Sequence, residues 1–161
     1  MRLKIYRSKV DLATIDVINY FLREEYGNIL EIDIQKDETV LPENAFNCSR
    51  KQYNAFILQQ YLISRKDKNL AFWVIREDIY WKDMNFIFGC AVPWCCAILS
   101  ISRLYNHELI GKEAIHEVGH ILGLNHCKNK CVMRFSNSVE EALLKPMHLC
   151  ERCKKMLPKN L

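Results

Sequence analysis

Four side chains that carry chemistry lie close together in one stretch of the chain. His116 and His120 are four residues apart, so on a helix both imidazoles leave the same face, one turn apart. Gly123 can end that helix and turn the chain back, which allows His126 to supply a third nitrogen. Three such ligands suit a zinc ion and leave one position open for water, as a catalytic zinc requires. Glu117 then lies beside the metal, where its carboxylate can accept a proton from the activated water.

The same residues could also lie on an amphipathic helix that binds no metal. Ile115 and Val118 are the kind of neighbours that a core-facing helix carries. That explanation does not account for the glycine, the third histidine or Met133 downstream. Three of the five histidines of the chain fall within this one stretch. The pattern therefore favours a catalytic zinc site.

Four cysteines form two close pairs downstream of the histidines. Cys127 and Cys131 make the first pair, and Cys150 and Cys153 make the second. Each pair is a short chelating turn, and together they predict a structural zinc held by four thiolates. The alternative is four ordinary thiols. The other cysteines lack such spacing and are predicted to be small buried hydrophobic residues: Cys48, Cys90, Cys95 and Cys96.

The positive charge of the chain is concentrated at its end. Residues 127–161 hold eight Lys or Arg against three Glu, a net charge of +5, whereas the whole chain carries +4. The preceding 126 residues therefore sum to −1. A zinc bound by four thiolates carries a net charge of −2, which nearby cations offset. We therefore prefer charge compensation to nucleic-acid binding as the reason for the basic end, and nucleic acid is an unlikely partner.

Size and composition indicate one globular domain. The chain has 161 residues, half of them hydrophobic and 26% charged, which is typical of a folded protein with a sizeable core. Its first residues alternate charged and apolar types, unlike a signal peptide, and no apolar run approaches the roughly 20 residues of a membrane span. Together with eight cysteines that suit metal better than disulfides, this predicts a soluble cytoplasmic protein, expected to be a monomer.

The hydrophobic pattern alternates between strands and helices. The pattern predicts strands over residues 2–8 and 29–34, with a helix over residues 11–25 between them. This order of elements predicts a right-handed crossover and parallel pairing of the two strands. A second helix is predicted over residues 50–64, capped by Asn47 or Ser49. The nearly continuous apolar run at residues 69–75 predicts a central strand that is buried on both faces.

Two further apolar runs precede the zinc-binding stretch. Residues 86–91 and 95–102 are joined through Pro93, and Gly89 and Pro93 favour an edge or bulge position for the first run. An extended peptide could pair with such an edge, although a plain hairpin without a substrate role fits equally well. Asn106 is expected to cap the helix with the histidines, and Ser138 with Glu141 predicts a capping box for a final helix.

The sequence motifs resemble those of archaemetzincins. HEVGHILGLNH, beginning at His116, is similar to the extended zinc motif of metzincins, and Met133 stands where their Met-turn lies. The cysteine after the third histidine, followed by CVM and a distant CERC, resembles archaemetzincins in particular. FIFGCA and RKQYNAF are also similar to sequences of that family, so the likeness covers most of the chain.

This resemblance implies a compact α+β fold of the zincin or metzincin type, a single catalytic domain over residues 1–161. A twisted mixed sheet with helices would form an upper part over about 1–123, with the zinc helix as the cleft floor. A small lower part over about 124–161 would carry the Met-turn and a last helix. Only three residues separate Cys127 from Cys131, where the family has about four, and sixteen separate Met133 from Cys150, where it has about seventeen.

The resemblance also implies two zinc ions for each chain. One would be catalytic, held by His116, His120 and His126 with Glu117 as general base, and one structural, held by the four thiolates of Cys127, Cys131, Cys150 and Cys153. The expected function is a zinc-dependent metallopeptidase that acts on peptides or proteins, as an endopeptidase or an aminopeptidase. The alternative is a zinc-stabilised module that binds nucleic acid or an acidic protein and has weak or no catalysis.

Overall fold

A computed structural model of the chain describes residues 1–159, so residues 160 and 161 of the predicted lower part lie outside the described residues. Its elements follow one another as strands, helices and one 3₁₀ turn. In chain order they are β1 (Arg2–Ser8), α1 (Leu12–Tyr26), β2 (Glu31–Ile34), the 3₁₀ turn (Glu43–Ala45), β3 (Phe46–Asn47), β4 (Gln52–Asn54), α2 (Ala55–Arg65), β5 (Leu70–Ile75), β6 (Ile79–Tyr80), β7 (Gly89–Val92), β8 (Cys96–Ser100), α3 (His107–Ile121), α4 (Val139–Leu144) and α5 (Glu151–Met156).

A five-stranded mixed sheet forms the frame of the molecule. Its order is β2-β1-β5-β8-β7, and a smaller three-stranded sheet has the order β3-β4-β6. β1 pairs in parallel with β2 and with β5, and β5 pairs in parallel with β8, so the predicted parallel crossover and the predicted central strand are confirmed. β7 runs antiparallel to β8 and is an edge strand of the sheet, as its sequence predicts.

Apolar side chains pack on both faces of this sheet. Helices α1 and α3 cover one face and helix α2 covers the other, so the sheet divides the core into two clusters. Tyr26 is fully buried between α1 and α3, where its hydroxyl donates a hydrogen bond of 2.8 Å to the Ile115 carbonyl oxygen. Each fully buried side chain of this size stabilises the fold by about 1.5–3 kcal/mol. The packing fixes α3 against the sheet.

Three local predictions are wrong. Cys48, predicted to be a small buried hydrophobic residue, is exposed, because it lies in the turn between β3 and β4. The helix expected over residues 50–64 begins at Ala55, because residues 52–54 pair as strand β4 with two neighbouring strands. The Asn54 side chain caps this helix by accepting from the Phe56 and Ile57 N–H groups, in place of Asn47 or Ser49. Ser138 caps α4 as expected, but α4 is followed by a further helix, α5, which begins beside Cys150.

Within residues 1–159, no helix combines the length and the apolar character that crossing a membrane demands.

Candidate metal centre and active site

Helix α3 carries the first two histidines and the glutamate. Asn106 begins it by accepting a hydrogen bond of 2.8 Å from the Leu109 N–H, which confirms the predicted cap. The helix ends at Ile121, and Gly123 adopts a φ of +88°, a conformation that L side chains rarely adopt. The Leu124 N–H then bonds the Gly119 carbonyl oxygen at 2.9 Å, which reverses the chain direction. This turn returns His126 to the helix.

The three histidines converge. Their ring centroids are 4.6 Å apart for His116 and His120, 5.3 Å for His116 and His126, and 4.9 Å for His120 and His126. The Nδ1 of His116 lies 2.9 Å from the Val132 carbonyl oxygen and that of His120 lies 2.7 Å from the Leu124 carbonyl oxygen. A carbonyl only accepts, so both Nδ1 atoms carry the proton and both Nε2 atoms keep a free lone pair.

The spacing of these nitrogens fits a metal ion. The two Nε2 atoms lie 3.0 Å apart although neither carries a proton to share. Two nitrogens bound to one tetrahedral zinc at about 2.0–2.1 Å would be about 3.3 Å apart. One nitrogen from each of the three histidines lies within 4.8 Å of the others. Burial lowers the pKa of all three imidazoles, which keeps them in the neutral form that binds metal.

Glu117 is a buried carboxylate beside this cluster. It is 5% exposed, and within residues 1–159 its Oε2 has no hydrogen-bond partner, which leaves that atom available to an incoming group. Burial raises the pKa of Glu117 to about 8, with a further contribution from the neighbouring Glu113 carboxylate. A bound divalent cation acts in the opposite direction. The carboxylate therefore combines high proton affinity with a free acceptor atom.

Met133 lies under the histidines, as the resemblance implies. It is fully buried, and a Cβ placed on Gly119 would meet its Sδ at 2.5 Å. Gly119 stands between the two helical histidines, so only a glycine lets the methionine approach the helix this closely. The Met133 carbonyl oxygen accepts a hydrogen bond of 2.9 Å from the Cys127 N–H. The methionine turn therefore joins the histidine cluster to the cysteines.

The four paired cysteines meet in one cluster, and each is a free thiol. The Sγ atoms of Cys127 and Cys150 are 3.8 Å apart, which matches the roughly 3.8 Å between two thiolates on a tetrahedral zinc at about 2.3 Å. Cys131 Sγ accepts N–H groups from Met133 at 3.4 Å and from Cys150 at 3.3 Å. N–H donors of this kind stabilise thiolates. The arrangement thus fits a structural zinc site.

A cleft of about 550 Å³ opens over the histidines. Its lining includes the three histidines, Glu117, edge strand β7 and aromatic side chains such as Phe86 and Phe135. A Cβ on Gly89 would lie 2.6 Å from the Glu117 carboxyl, so the edge strand runs directly against this carboxylate. The cleft is thus bounded by the helix with the histidines and by a free strand edge.

Sequence patterns did not reveal three residues near the site. Gln59 is buried on α2 and lines the cleft together with Glu113, which stands one helical turn before Glu117. Lys145 is buried behind the site and forms an ion pair with Glu113. The spacing of Glu113 and Glu117, four residues apart, was a usable signal for the first carboxylate. The approach of Lys145 depends on how α4 packs, and no local pattern encodes it.

Comparison with known proteins assigns the chain to a family. A family model described as peptidase family M54 matches residues 4–159. The chain belongs to peptidase family M54. The archaemetzincin of Nanoarchaeum equitans is 45% identical over 142 residues, covering 88% of this chain and 83% of that protein. The archaemetzincin of Archaeoglobus fulgidus is 37% identical over 165 residues, covering 95% of this chain and 96% of that protein.

Solved structures of the family share the whole fold. A crystal structure of the Archaeoglobus fulgidus archaemetzincin complexed with malonate aligns with a TM-score of 0.87 at 34% identity, over 98% of this chain and 100% of that one. These relatives confirm the predicted archaemetzincin resemblance and the compact α+β fold with a mixed sheet. Membership in M54 makes the chain a zinc metallopeptidase that acts on peptides, and it disfavours a purely binding module.

Proposed function

We propose that His116, His120 and His126 hold the catalytic zinc and that Glu117 is the general base of peptide hydrolysis. The observation that carries this proposal is the convergence of three neutral imidazoles on one point beside a buried carboxylate with a free oxygen. A zinc ion held there supplies a Lewis acid that activates a water molecule and polarises the peptide carbonyl. Glu117 takes a proton from that water and passes it to the departing amine nitrogen.

We further propose that an extended substrate pairs with edge strand β7. Strand β7 pairs with β8 on one side and borders the cleft with its glycine end against Glu117. A peptide added along the open side would gain backbone hydrogen bonds whatever its sequence, and its scissile bond would pass over the histidines. Peptides N-methylated at single positions test this, because methylation at a paired N–H should raise KM while methylation at a solvent-facing N–H should not.

A second, structural zinc is proposed at Cys127, Cys131, Cys150 and Cys153. Burial raises the pKa of Cys131 and Cys153, so a metal binding there displaces their protons. The gain in binding free energy then stabilises the segment after Gly123, in which the described residues, 124–159, form only two short helices. We accordingly place the boundary between an upper part, residues 1–123, and a lower part, residues 124–161, at this glycine.

Eight thiols fit the reducing cytoplasm, where we propose a monomeric enzyme.

Glu117→Gln tests the assignment of the general base. The amide keeps the size of the side chain but accepts no proton, so kcat should fall by about 10²–10⁴-fold while two zinc ions remain for each chain. Glu108→Gln is the matched control, because Glu108 is an exposed acid on the same helix and should retain full activity. Undiminished cleavage by Glu117→Gln would refute the mechanism.

A library of fluorescence-quenched peptides, with free and with acetylated amino termini, identifies the substrates. Cleavage of both forms supports an endopeptidase, and cleavage of the free form alone supports an aminopeptidase. Zinc content is measured on the same samples by elemental analysis, so that activity is compared at one zinc and at two zincs for each chain.

A further inference from the structure

A buried ion pair lies directly behind the catalytic residues. The Lys145 Nζ is 2.7 Å from the Glu113 Oε1, and both side chains are almost fully buried. Glu113 stands on α3 one turn before Glu117, and Lys145 follows the end of α4. Two buried charges are costly to desolvate, and replacing such a pair with apolar residues is often neutral or stabilising. Stability alone therefore does not explain why this pair lies here.

The ammonium group also touches a metal ligand. Lys145 Nζ lies 3.4 Å from His116 Nδ1, on the ring edge that also faces the Val132 carbonyl oxygen. The Val132 carbonyl oxygen accepts the Nδ1 proton of His116, and the ammonium packs against the same edge without a hydrogen bond to it, so both groups restrict rotation of the ring while its Nε2 faces His120. Groups that hold a ligand imidazole in this way fix its ring orientation, and changing them typically costs 10- to 100-fold in metal affinity or activity.

The pair also sets the charge of the cleft. Of the described residues that line the cleft, two are carboxylates, Glu113 and Glu117, and none is a lysine or arginine. Lys145 reaches Glu113 from behind and neutralises it, so that Glu117 alone presents an uncompensated carboxylate to a substrate. Without the lysine, two like charges would stand one helical turn apart, and each would push the other away.

A second buried lysine provides a comparison within the same pair of helices. Lys112 Nζ donates a hydrogen bond of 2.8 Å to the Leu143 carbonyl oxygen and lies 3.1 Å from the exposed Glu108 carboxylate. It therefore ties α3 to the end of α4, as Lys145 does. Lys112 does not line the cleft, and no contact joins it to a histidine in residues 1–159. The molecule thus contains one tether near the metal site and one away from it.

We propose that Glu113 and Lys145 are positioning residues of the peptidase, which hold the His116 ring and the Glu117 side chain in place for metal binding and proton transfer. The inference rests on the proposed function, since it concerns the same ligand and the same base. Glu113 and Lys145 are assigned no role on the reacting atoms themselves. Their contribution is to restrain two side chains that do the chemistry, and it should therefore appear in metal affinity and in kcat more than in KM.

The test compares Lys145→Met, Glu113→Gln, the double variant and the control Lys112→Met. The affinity of the histidine site is titrated with Co²⁺, whose visible absorption differs between an imidazole site and a thiolate site, and kcat and KM are measured on the zinc-loaded proteins. Each single variant should lose about 10- to 100-fold in Co²⁺ affinity and in kcat, with KM within about threefold. The double variant should be more thermally stable than either single variant, because no unpaired buried charge remains. Its Co²⁺ affinity and its kcat should nevertheless stay below the wild-type values.

The control separates positioning from tethering. Lys112→Met should lower the melting temperature while leaving Co²⁺ affinity and kcat at their wild-type values. The inference is overturned if the double variant recovers wild-type Co²⁺ affinity and kcat, if the single variants never lose them, or if Lys112→Met loses them equally. Should the wild-type protein cleave no peptide, the proposed function fails, and the Co²⁺ titration still decides whether the pair positions the ligand.

Discussion

Gly89→Ala places a methyl group against Glu117, the proposed general base, without changing any residue proposed to do chemistry. A Cβ at this position would lie 2.6 Å from the Glu117 Cδ and Oε1 and 2.6 Å from the Ile98 carbonyl oxygen. Ordinary van der Waals contact begins near 3.4 Å, so a displacement of about 0.8 Å is needed. The Ile98 carbonyl belongs to the paired strand β8 and is held there, whereas the Glu117 side chain can rotate. Rotation of the carboxylate relieves only one of these contacts, so β7 must also shift away from the Ile98 carbonyl, and both movements change the position of the carboxylate relative to the edge strand.

A displacement of this size should reduce catalysis strongly. Misplacing a reacting group by about 1 Å can cost about 100-fold, so we expect kcat of Gly89→Ala to fall by roughly that factor. Overpacking should also lower the stability by about 1–3 kcal/mol. Zinc should stay bound, since the atoms nearest the added Cβ belong to Glu117 and Ile98 and not to a histidine.

The assay measures kcat, zinc content and denaturant midpoint on the same preparation. Gly111→Ala is the matched control. Gly111 lies on α3, and a Cβ added there would meet the Phe21 ring at 2.5 Å, whereas Glu117 is not among its nearest atoms. The control should lose comparable stability and keep its kcat. A Gly89→Ala enzyme with wild-type kcat and full zinc would refute the reasoning that the edge strand sets the position of the base.

Three further changes test the surroundings of the site. Tyr26→Phe removes the buried hydroxyl that donates to the Ile115 carbonyl and should cost about 0.5–1.5 kcal/mol in denaturant unfolding, the worth of one lost hydrogen bond, because that carbonyl lies within helix α3 and keeps its helical partner. Gly123→Ala forces a side chain into a φ of +88° and should lower zinc affinity, measured by competition with a chelator, because the turn that returns His126 is strained. Cys153→Ser should reduce the zinc content from two ions to one by elemental analysis; two retained ions would contradict the thiolate assignment.

The meeting of the three histidines could be predicted from the sequence because its geometry is local. His116 and His120 share a helix, and the turn at Gly123 needs only one residue of positive φ, so spacing alone predicts where the imidazoles meet. The central position of β5 could also be predicted locally, because an unbroken apolar run must be buried on both faces and only the middle of the sheet provides this. Local encoding also explains the correct caps at Asn106 and Ser138.

What sequence patterns missed depends on contacts between distant segments. Gln52 and Tyr53 carry helix-compatible types, yet they join a three-stranded sheet because a partner strand some 25 residues later is available, as Tyr53 pairs with Ile79. The Glu113–Lys145 ion pair joins residues that are far apart in the chain and meet only when α4 packs on α3. Such pairings follow from tertiary packing, which overrides local propensity.

Anomalous diffraction at the zinc edge, collected on crystals of the zinc-loaded protein, tests the central claim most directly. We predict one anomalous peak bound by the Nε2 atoms of His116, His120 and His126, with Glu117 beside it and no fourth protein ligand. A map in which His126 points away from that peak, or in which another side chain completes the coordination, would contradict the account.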